Sequence, residues 1–350
     1  MTQEPDAPVR AWLPRAAALL VGTLALATAF IAAYVGALHK PTPRDVPVGV
    51  VLGDQHAQAV MAAVRGRTDT IKPVGYDDPR SADDGLTARE VYGVLTSSPD
   101  GGLRLALASA SAPAATELVD QVFTAAAQQA RLPLQVVDEV PVERSDPRGL
   151  VPFYLAVGYV LGGYLASTAL GLRTGTAPRG LARAGLRTAA LAAYAVVLGV
   201  AGALVVGPGL DVWRHDVPAV AAAGALAVFA AAMVAAAVQG WLGLLGTGIV
   251  ILLLVVLGNP GSGGVYAPEF LPDWLRGMHR WNVPGLTTDL IKSAVYFDRP
   301  AAGWPAGGLA VWALAGVVGL LTAALVRGGR AAAPRAVSTS ATSDDARLDG

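Results

Sequence analysis

The sequence predicts an α-helical polytopic membrane protein with about six transmembrane helices and an inserted α/β extracytoplasmic domain. Three observations lead to this fold class. Hydrophobic residues make up 53% of the 350-residue chain and charged residues only 15%, against about a quarter in an ordinary soluble domain. The apolar residues are bunched into separate runs. Residues 39–149, between the first two runs, are charged and are interrupted by proline and glycine, as in a soluble domain.

The apolar runs have the length of membrane-spanning helices. A helix rises about 1.5 Å per residue, so about 20 apolar residues cross about 30 Å of hydrocarbon. Six runs satisfy this requirement, at 16–38, 151–172, 188–206, 219–238, 241–257 and 308–326. The first run exceeds the 7–15 residues of a signal-peptide core, which favours an anchor, although the small residues at 35–37 leave a cleaved signal as an alternative.

The fourth and fifth runs are separated only by Gln239 and Gly240. A tight helical hairpin is preferred here over one long helix, because a single helix would leave the polar Gln239 within the membrane.

Arginine placement predicts the orientation of the spans. Arginines flank the first run in the N-terminal segment 1–15, fill the loop 173–187 without an acidic residue, and follow the last run in the tail 327–350. Six spans would put these three segments on one side. Cytoplasmic loops carry an excess of Lys and Arg, so we expect a plasma-membrane protein with both termini in the cytoplasm. The polar tail is expected to be disordered.

Residues 39–149 carry the pattern of an α/β domain. Short β-branched or alternating segments predict strands at 46–52, 71–76, 91–96, 103–109 and 134–142. Helices are expected at 55–64, 81–90 and 112–130, and a Ser-Pro-Asp-Gly-Gly turn joins the third and fourth strands. The predicted order is therefore β-α-β-α-β-β-α-β.

The sequence contains no pattern of catalytic or metal-binding residues. It has no cysteine, no HExxH and no GxxxxGK[ST], so ATP hydrolysis is not expected in this chain and no cofactor is predicted. The near-zero net charge gives no reason to expect nucleic-acid binding. None of the six runs contains Asp, Glu, Lys, Arg or His, which argues against a self-powered proton- or sodium-coupled carrier.

Small residues and a tyrosine in the runs suggest helix packing or a translocation path. Gly158 and Gly162 are spaced for close helix approach in the second run, where Tyr159 adds a hydroxyl group. Gly243 and Gly246 have the same role in the fifth run.

The loop 258–307 has an unusual composition. It begins with Asn259, Pro260, Gly261 and Gly263, and its tryptophans suggest a segment lying on the membrane surface. A short amphipathic helix is expected at 286–295.

Seven short segments, in this order and spacing, resemble ABC-2-type permeases with a large outside domain, close to the YhgE/Pip-like branch and the membrane domain of nitrosoguanidine-resistance proteins. They are VPVGVV at 46–51, REVYGVL at 89–95, DPRG at 146–149, GNPGSGG at 258–264, LP at 271–272, NVPG at 282–285 and AVYFD at 294–298, which ends with Phe297 and Asp298.

The resemblance implies a membrane subunit that forms a homodimer and works with a separate ATP-binding subunit to export a hydrophobic or amphipathic compound. In such a subunit, the ATPase would dock on Arg173, Arg179, Arg183 and Arg187. The alternative function is a non-transporting envelope scaffold or receptor, whose outside domain binds a partner while the helices only anchor it in membrane lipid.

Overall fold

The structure, a computed structural model, describes residues 9–297 and 299–330. It is mostly helical with one small sheet. Five of its helices are long and apolar enough to cross a membrane, as a multi-pass membrane protein requires. A sixth apolar stretch, Leu245–Leu257, is helical but shorter.

The elements between the first two long helices follow the predicted β-α-β-α-β-β-α-β order. They are β1 Val46–Val51, α2 Gln55–Arg65, β2 Ile71–Tyr76, α3 Pro79–Thr87, β3 Gly93–Ser97, β4 Leu103–Leu107, α4 Pro113–Ala130 and β5 Leu134–Asp138. The strands form one sheet in the order β2-β1-β3-β4-β5. Only the β3–β4 pair is antiparallel, because a tight turn joins these two strands while helices connect the others.

Two hydrophobic layers hold the α/β domain together. On one face, α2 and α4 cover the sheet with a core that includes Val60, Phe123 and Leu105. On the other face, α3 contributes Leu86 to a smaller core that also contains Phe297, which lies beyond the domain in the chain. The domain is therefore not an isolated unit, since its second core is completed by the loop before the last helix.

The remaining helices form a bundle around one central helix. The helices are α1 Val9–Leu38, α5 Val151–Thr174, α6 Leu181–Leu204, α7 Val217–Leu242, α8 Leu244–Ile251 and α11 Arg299–Arg330. The central α7 packs against α5, α6 and α11. Alanine and glycine occupy much of its surface, which lets the neighbouring backbones approach closely.

Two glycines mark the closest helix contacts. A Cβ on Gly163 of α5 would lie 2.5 Å from the carbonyl oxygen of Val228 in α7. A Cβ on Gly199 of α6 would lie 2.6 Å from that of Ala221. At both positions the neighbour is backbone, which cannot move aside as a side chain can.

The chain turns at Gly243, and this shifts the predicted boundaries of the fourth and fifth runs. Gly243 has a φ of 63°, and α7 extends to Leu242, so Gln239 lies within that helix rather than in the turn. Gly246 packs against the backbone of Val238 and Gln239, which shows that the chain folds back after the turn. The expected hairpin is present, but it turns three residues later.

The return pass consists of α8 and a wider π-helical stretch, Leu252–Leu257. This stretch packs against α1, the least buried of the five long helices. The pass is needed because α7 and α11 run in the same direction. Both finish at the same end of the bundle, since Arg327 of α11 donates to the carbonyl of Gly240 in α7. Helix α5 finishes and α6 begins at this end too, because Gln239 donates to Thr168 and Arg187 donates to Ser167. We call this end the arginine end, and the opposite one the domain end.

The segment after the return pass is compact. It contains a 3-10 turn at Pro260–Ser262, another at Pro268–Phe270, then α9 Asp273–Arg276 and α10 Val283–Tyr296. A short amphipathic helix was expected at 286–295, and α10 covers that range. Ten of its 14 residues are buried, so this helix packs inside the protein. The last helix also begins earlier than the predicted residue 308.

Replacing Gly163 with valine should destabilise the bundle, because the added atoms meet the backbone of α7. Overpacking of this kind costs about 1–3 kcal/mol. The matched control is Gly158→Val in the same helix, where a Cβ meets nothing within 4 Å. Thermal unfolding in detergent should show a lower midpoint for Gly163→Val alone; an equal loss in both variants would contradict this packing.

Candidate functional site

The junction between the α/β domain and the helix bundle contains most of the buried ionisable side chains outside the long helices. Helix α10 packs against α5, α7 and α11, so it belongs to the bundle. Its polar residues contact the domain on the other side. Buried ionisable groups are costly in apolar surroundings, so a cluster of them marks a candidate functional site.

An ion pair between Arg89 and Asp289 connects the two parts. Arg89 follows α3 and has a φ of 63°, and Asp289 lies in α10. A guanidinium nitrogen of Arg89 lies 2.6 Å from Oδ1 of Asp289, and a second nitrogen donates to the Asp289 carbonyl at 3.1 Å. The two side chains are only 14% and 20% exposed, so water screens this pair weakly.

His279 extends the ion pair into the loop after the return pass. Its Nε2 lies 3.0 Å from Oδ2 of Asp289, and its Nδ1 lies 2.8 Å from the carbonyl oxygen of Ser262. Asp289 therefore contacts two basic side chains, the Arg89 guanidinium of the domain and the His279 ring of the loop.

The basic side chains around Asp289 keep its carboxyl group ionised. Burial alone would raise the pKa of its carboxyl group, but Arg89 and then His279 favour the charged form and hold that pKa well below its ordinary value. Asp289 is therefore a carboxylate over the whole physiological range, and the junction stays ionic.

Lys292, one helical turn after Asp289, is 3% exposed and donates to the carbonyl of Ser111 at 2.8 Å. Burial, and then the nearby Arg89 cation, lower the pKa of Lys292 to about 8, although Asp289 and Asp146 act in the opposite direction. This second α10 cation thus binds the domain just before α4, but it can lose its proton under mildly alkaline conditions.

Asp146 ties the end of the domain to the start of the bundle. Its two carboxylate oxygens accept from the backbone amides of Leu150 at 3.0 Å and Val151 at 2.9 Å, where α5 begins. These amides have no partner within the helix, so the carboxylate caps α5. Burial raises the pKa of Asp146 in spite of the two hydrogen bonds.

Further hydrogen bonds surround the ion cluster. The Tyr92 hydroxyl of the domain donates to Glu269 at 2.8 Å. The Tyr296 hydroxyl at the end of α10 accepts from the backbone amide of Glu143 and from the indole of Trp213. The guanidinium of Arg89 also lies 5.5 Å from the ring centre of Phe297. The domain is thus held at several points.

The loop residues singled out from the sequence lie next to this cluster. Asn259, Pro260 and Gly261 are buried, and the Gly261 carbonyl accepts from the side chain of Asn282. Gly263 has a φ of 69°, and a Cβ there would lie 2.7 Å from Nδ1 of His279. Glycine is therefore needed at 263 for both conformation and space. Asp298 lies outside the described residues.

A second polar cluster, at the arginine end, corrects the expectation for Arg187. This residue is 6% exposed and points into the bundle, where its guanidinium donates to the carbonyls of Ser167 and Thr176 at 2.9 and 3.0 Å. Gln239 lies beside it and donates to Thr168 and Thr247. Arg187 holds α5, α6 and α7 together, so its side chain is not available to a docking partner.

The other predicted residues have different environments. Arg173, Arg179 and Arg183 are exposed at the arginine end, where docking stays a prediction. Gly158 faces open space, and the atoms nearest to a Cβ on Gly162 would belong to side chains of α6.

Tyr159 is not placed to line a translocation path within the chain. It is 1% exposed, fills the space beside Gly202 and Gly224, and donates to the Gly199 carbonyl at 3.0 Å. Its role within the chain is to pack α5 against α6 and α7.

The α/β domain also has a groove of about 520 Å³ between α2 and α4. Alanine and valine line most of it, with His56, Arg67 and Gln129 among its polar residues. The groove is a surface feature of the domain and is formed by residues other than those of the junction.

Comparison with known proteins leaves this chain without a match: no family model, no curated protein and no solved structure corresponds to it. The resemblance drawn from short segments therefore stays a prediction. Five of those segments nevertheless supply residues to the junction, namely Arg89 and Tyr92, Asp146, Ser262, Asn282, and Tyr296 with Phe297.

Sequence reasoning did not identify Asp289, Lys292 and His279 as a group. A signal was present, because Asp289 and Lys292 are spaced three apart in a segment whose other residues are largely apolar or hydroxylated. An amphipathic surface helix explains the same spacing, so only the packing of α10 could decide between the two.

Removing the charge of either Arg89 or Asp289 should destabilise the junction. Removing one partner of a buried ion pair costs about 3–5 kcal/mol, and the residual exposure of this pair favours the lower part of that range. We expect Arg89→Gln and Asp289→Asn each to lower the unfolding midpoint, and the double variant to lose less than the sum. Additive losses, measured by thermal unfolding in detergent, would contradict direct coupling.

Lys292 should produce a pH-dependent stability. Its pKa in the folded protein is about 8, below the ordinary value of 10.5, so the unfolded chain binds more protons between these limits. Stability of the native chain relative to Lys292→Met should therefore rise from pH 8 to pH 10.5. Thermal unfolding across this range measures the difference, with the exposed Lys72→Met as the control; parallel curves for the native chain and Lys292→Met would refute the assignment.

Proposed function

We propose that this chain is the membrane-spanning permease subunit of an ABC-type exporter that moves a hydrophobic or amphipathic compound. It would act in the plasma membrane as a homodimer, with energy from a separate ATP-binding subunit. The ordered sequence segments motivate the family, and the junction supplies the structural support. The chain would then contribute a path and a moving outer domain rather than a catalytic centre.

The observation that carries the proposal is the attachment of the domain to a buried helix. Arg89 and Ser111 of the domain hold Asp289 and Lys292 of α10, and α10 in turn packs against three long helices. A domain tied in this way moves with the helices, whereas a domain that merely needs an anchor requires no buried ion cluster. This contrast favours a coupled transporter over a scaffold.

The arginine end supports the proposed orientation. The exposed Arg173, Arg179 and Arg183 lie there, and Arg327 contacts the same end of α7. Basic residues are concentrated on the cytoplasmic side of membrane proteins, so this end would face the cytoplasm and the domain would lie outside. An ATPase would dock on these exposed arginines.

A receptor function is the second candidate, and the groove between α2 and α4 favours it. Its apolar lining has room for a small amphipathic ligand. Tight ligand binding by the full chain, without any associated ATPase, would support this alternative.

The first test is capture of the tagged full chain with crosslinking and identification of its partners by mass spectrometry. A stoichiometric partner with a Walker A motif is the expected result. Repeated absence of such a partner would reject the exporter in favour of the receptor.

Docking can then be tested on the exposed arginines. Arg179→Ser combined with Arg183→Ser should reduce ATPase capture several-fold without loss of folding, because both side chains are exposed. Arg148→Ser, an exposed arginine at the domain end, serves as the control and should keep full capture. Equal ATPase capture by the native chain, the double variant and the control would place the docking surface elsewhere.

A further inference from the structure

Three tryptophans and one arginine form a patch at the domain end of α11. Trp281 and Trp304 pack edge to face with ring centres 5.0 Å apart, and the guanidinium of Arg280 lies 5.5 Å from the centre of the Trp304 ring. The indole of Trp312 donates to the Trp281 carbonyl at 2.7 Å. We call these residues, 280, 281, 304 and 312, the tryptophan patch.

The patch is fixed in place but open on its outer side. The indole N–H of Trp304 donates to the Arg280 carbonyl at 3.2 Å. This hydrogen bond satisfies the indole donor and orients the ring. Even so, Trp281 remains 62% exposed and Trp304 49% exposed. Large aromatic rings held in this way on a surface indicate contact with something outside the chain.

The charge of Arg280 is not neutralised by any residue that the structure describes. Its side chain is exposed, and among residues 9–297 and 299–330 it makes neither an ion pair nor a hydrogen bond. Asp273, seven residues earlier in the chain, pairs with Arg44. A cation that is supported by an aromatic ring and has no acidic partner among the described residues is complementary to an anion.

An apolar stripe continues from the patch along α11. Gly307, Val311, Leu314 and Val318 are all exposed, and their spacings of four, three and four residues place them on one face of the helix. A Cβ on Gly307 would meet nothing within 4 Å, so the stripe begins where the helix surface is open. An acyl chain would fit along this face.

From these contacts we infer that the tryptophan patch binds one anionic phospholipid. The headgroup phosphate pairs with Arg280, the glycerol region contacts the indoles of Trp281 and Trp304, and one acyl chain follows α11 from Gly307 to Val318. Tryptophan prefers the boundary between headgroups and hydrocarbon, which is where such a lipid lies. The inference depends on insertion in a membrane and is independent of the proposed export activity.

The test uses the full chain in a neutral detergent, with native mass spectrometry to count bound lipid. Phosphatidylglycerol and phosphatidylcholine with the same acyl chains are compared. The native chain should retain phosphatidylglycerol about fivefold more strongly than phosphatidylcholine. One basic residue near an anionic lipid contributes an affinity difference of about this size. Equal retention of the two lipids would overturn the inference.

Variants locate the site. Arg280→Gln should lose the preference for phosphatidylglycerol and Arg280→Lys should keep most of it, whereas the exposed control Arg148→Gln should be unchanged. A preference that survives in Arg280→Gln would overturn the inference. Glycerol 3-phosphate, added as a soluble competitor, should not displace the lipid; full displacement would assign the patch to soluble phosphate esters instead.

Discussion

Charged groups inside an apolar bundle must find partners within the protein, and this constraint decides where the chain places its few buried ionisable side chains. The long helices supply few such partners from their own side chains, which are mostly apolar. Arg187 therefore donates to the backbone carbonyls of Ser167 and Thr176, and also to the side chains of Ser167 and Gln239. Asp289 and Lys292 use groups from the α/β domain. Both ends of the bundle are closed by polar contacts between segments distant in sequence.

The two ends differ in what they connect. At the arginine end, the contacts join α5, α6 and α7, which are neighbours in the bundle in any case, and so stabilise the bundle itself. At the domain end, the contacts join the bundle to the α/β domain. Asp289 is the common acceptor there, since it binds Arg89 from the domain and His279 from the loop. Loss of that one carboxylate would leave the Arg89 cation without its acidic partner in weakly screened surroundings, which is costly.

Much of the architecture could be predicted from the sequence because it depends on local patterns. Apolar runs of about 20 residues specify spanning helices through length alone, and alternation with turn residues specified every element of the sheet in order. The turn at Gly243 and the burial of α10 could not be predicted in this way. The positive φ at Gly243 and the packing partners of α10 depend on tertiary contacts. The sequence around Gly243 fits a turn at Gln239 equally well, and the sequence of α10 also fits a helix on the membrane surface.

The candidate site was less predictable for the same physical reason. The arginines at 173, 179, 183 and 187 look equivalent in sequence, but in the structure Arg187 is buried beside α5 and α7 while the other three are exposed. The junction residues come from four segments more than a hundred residues apart in places, so no local spacing reveals them.

Hydrogen bonds between segments that are distant in sequence also couple the domain to the helix bundle. Since Arg89, His279 and Asp289 sit on three different segments, a shift of α10 against α7 cannot leave all their hydrogen bonds intact unless the domain and the loop shift with it. The ionic cluster thereby makes the domain follow the bundle, as transmission of motion through a packed interface requires.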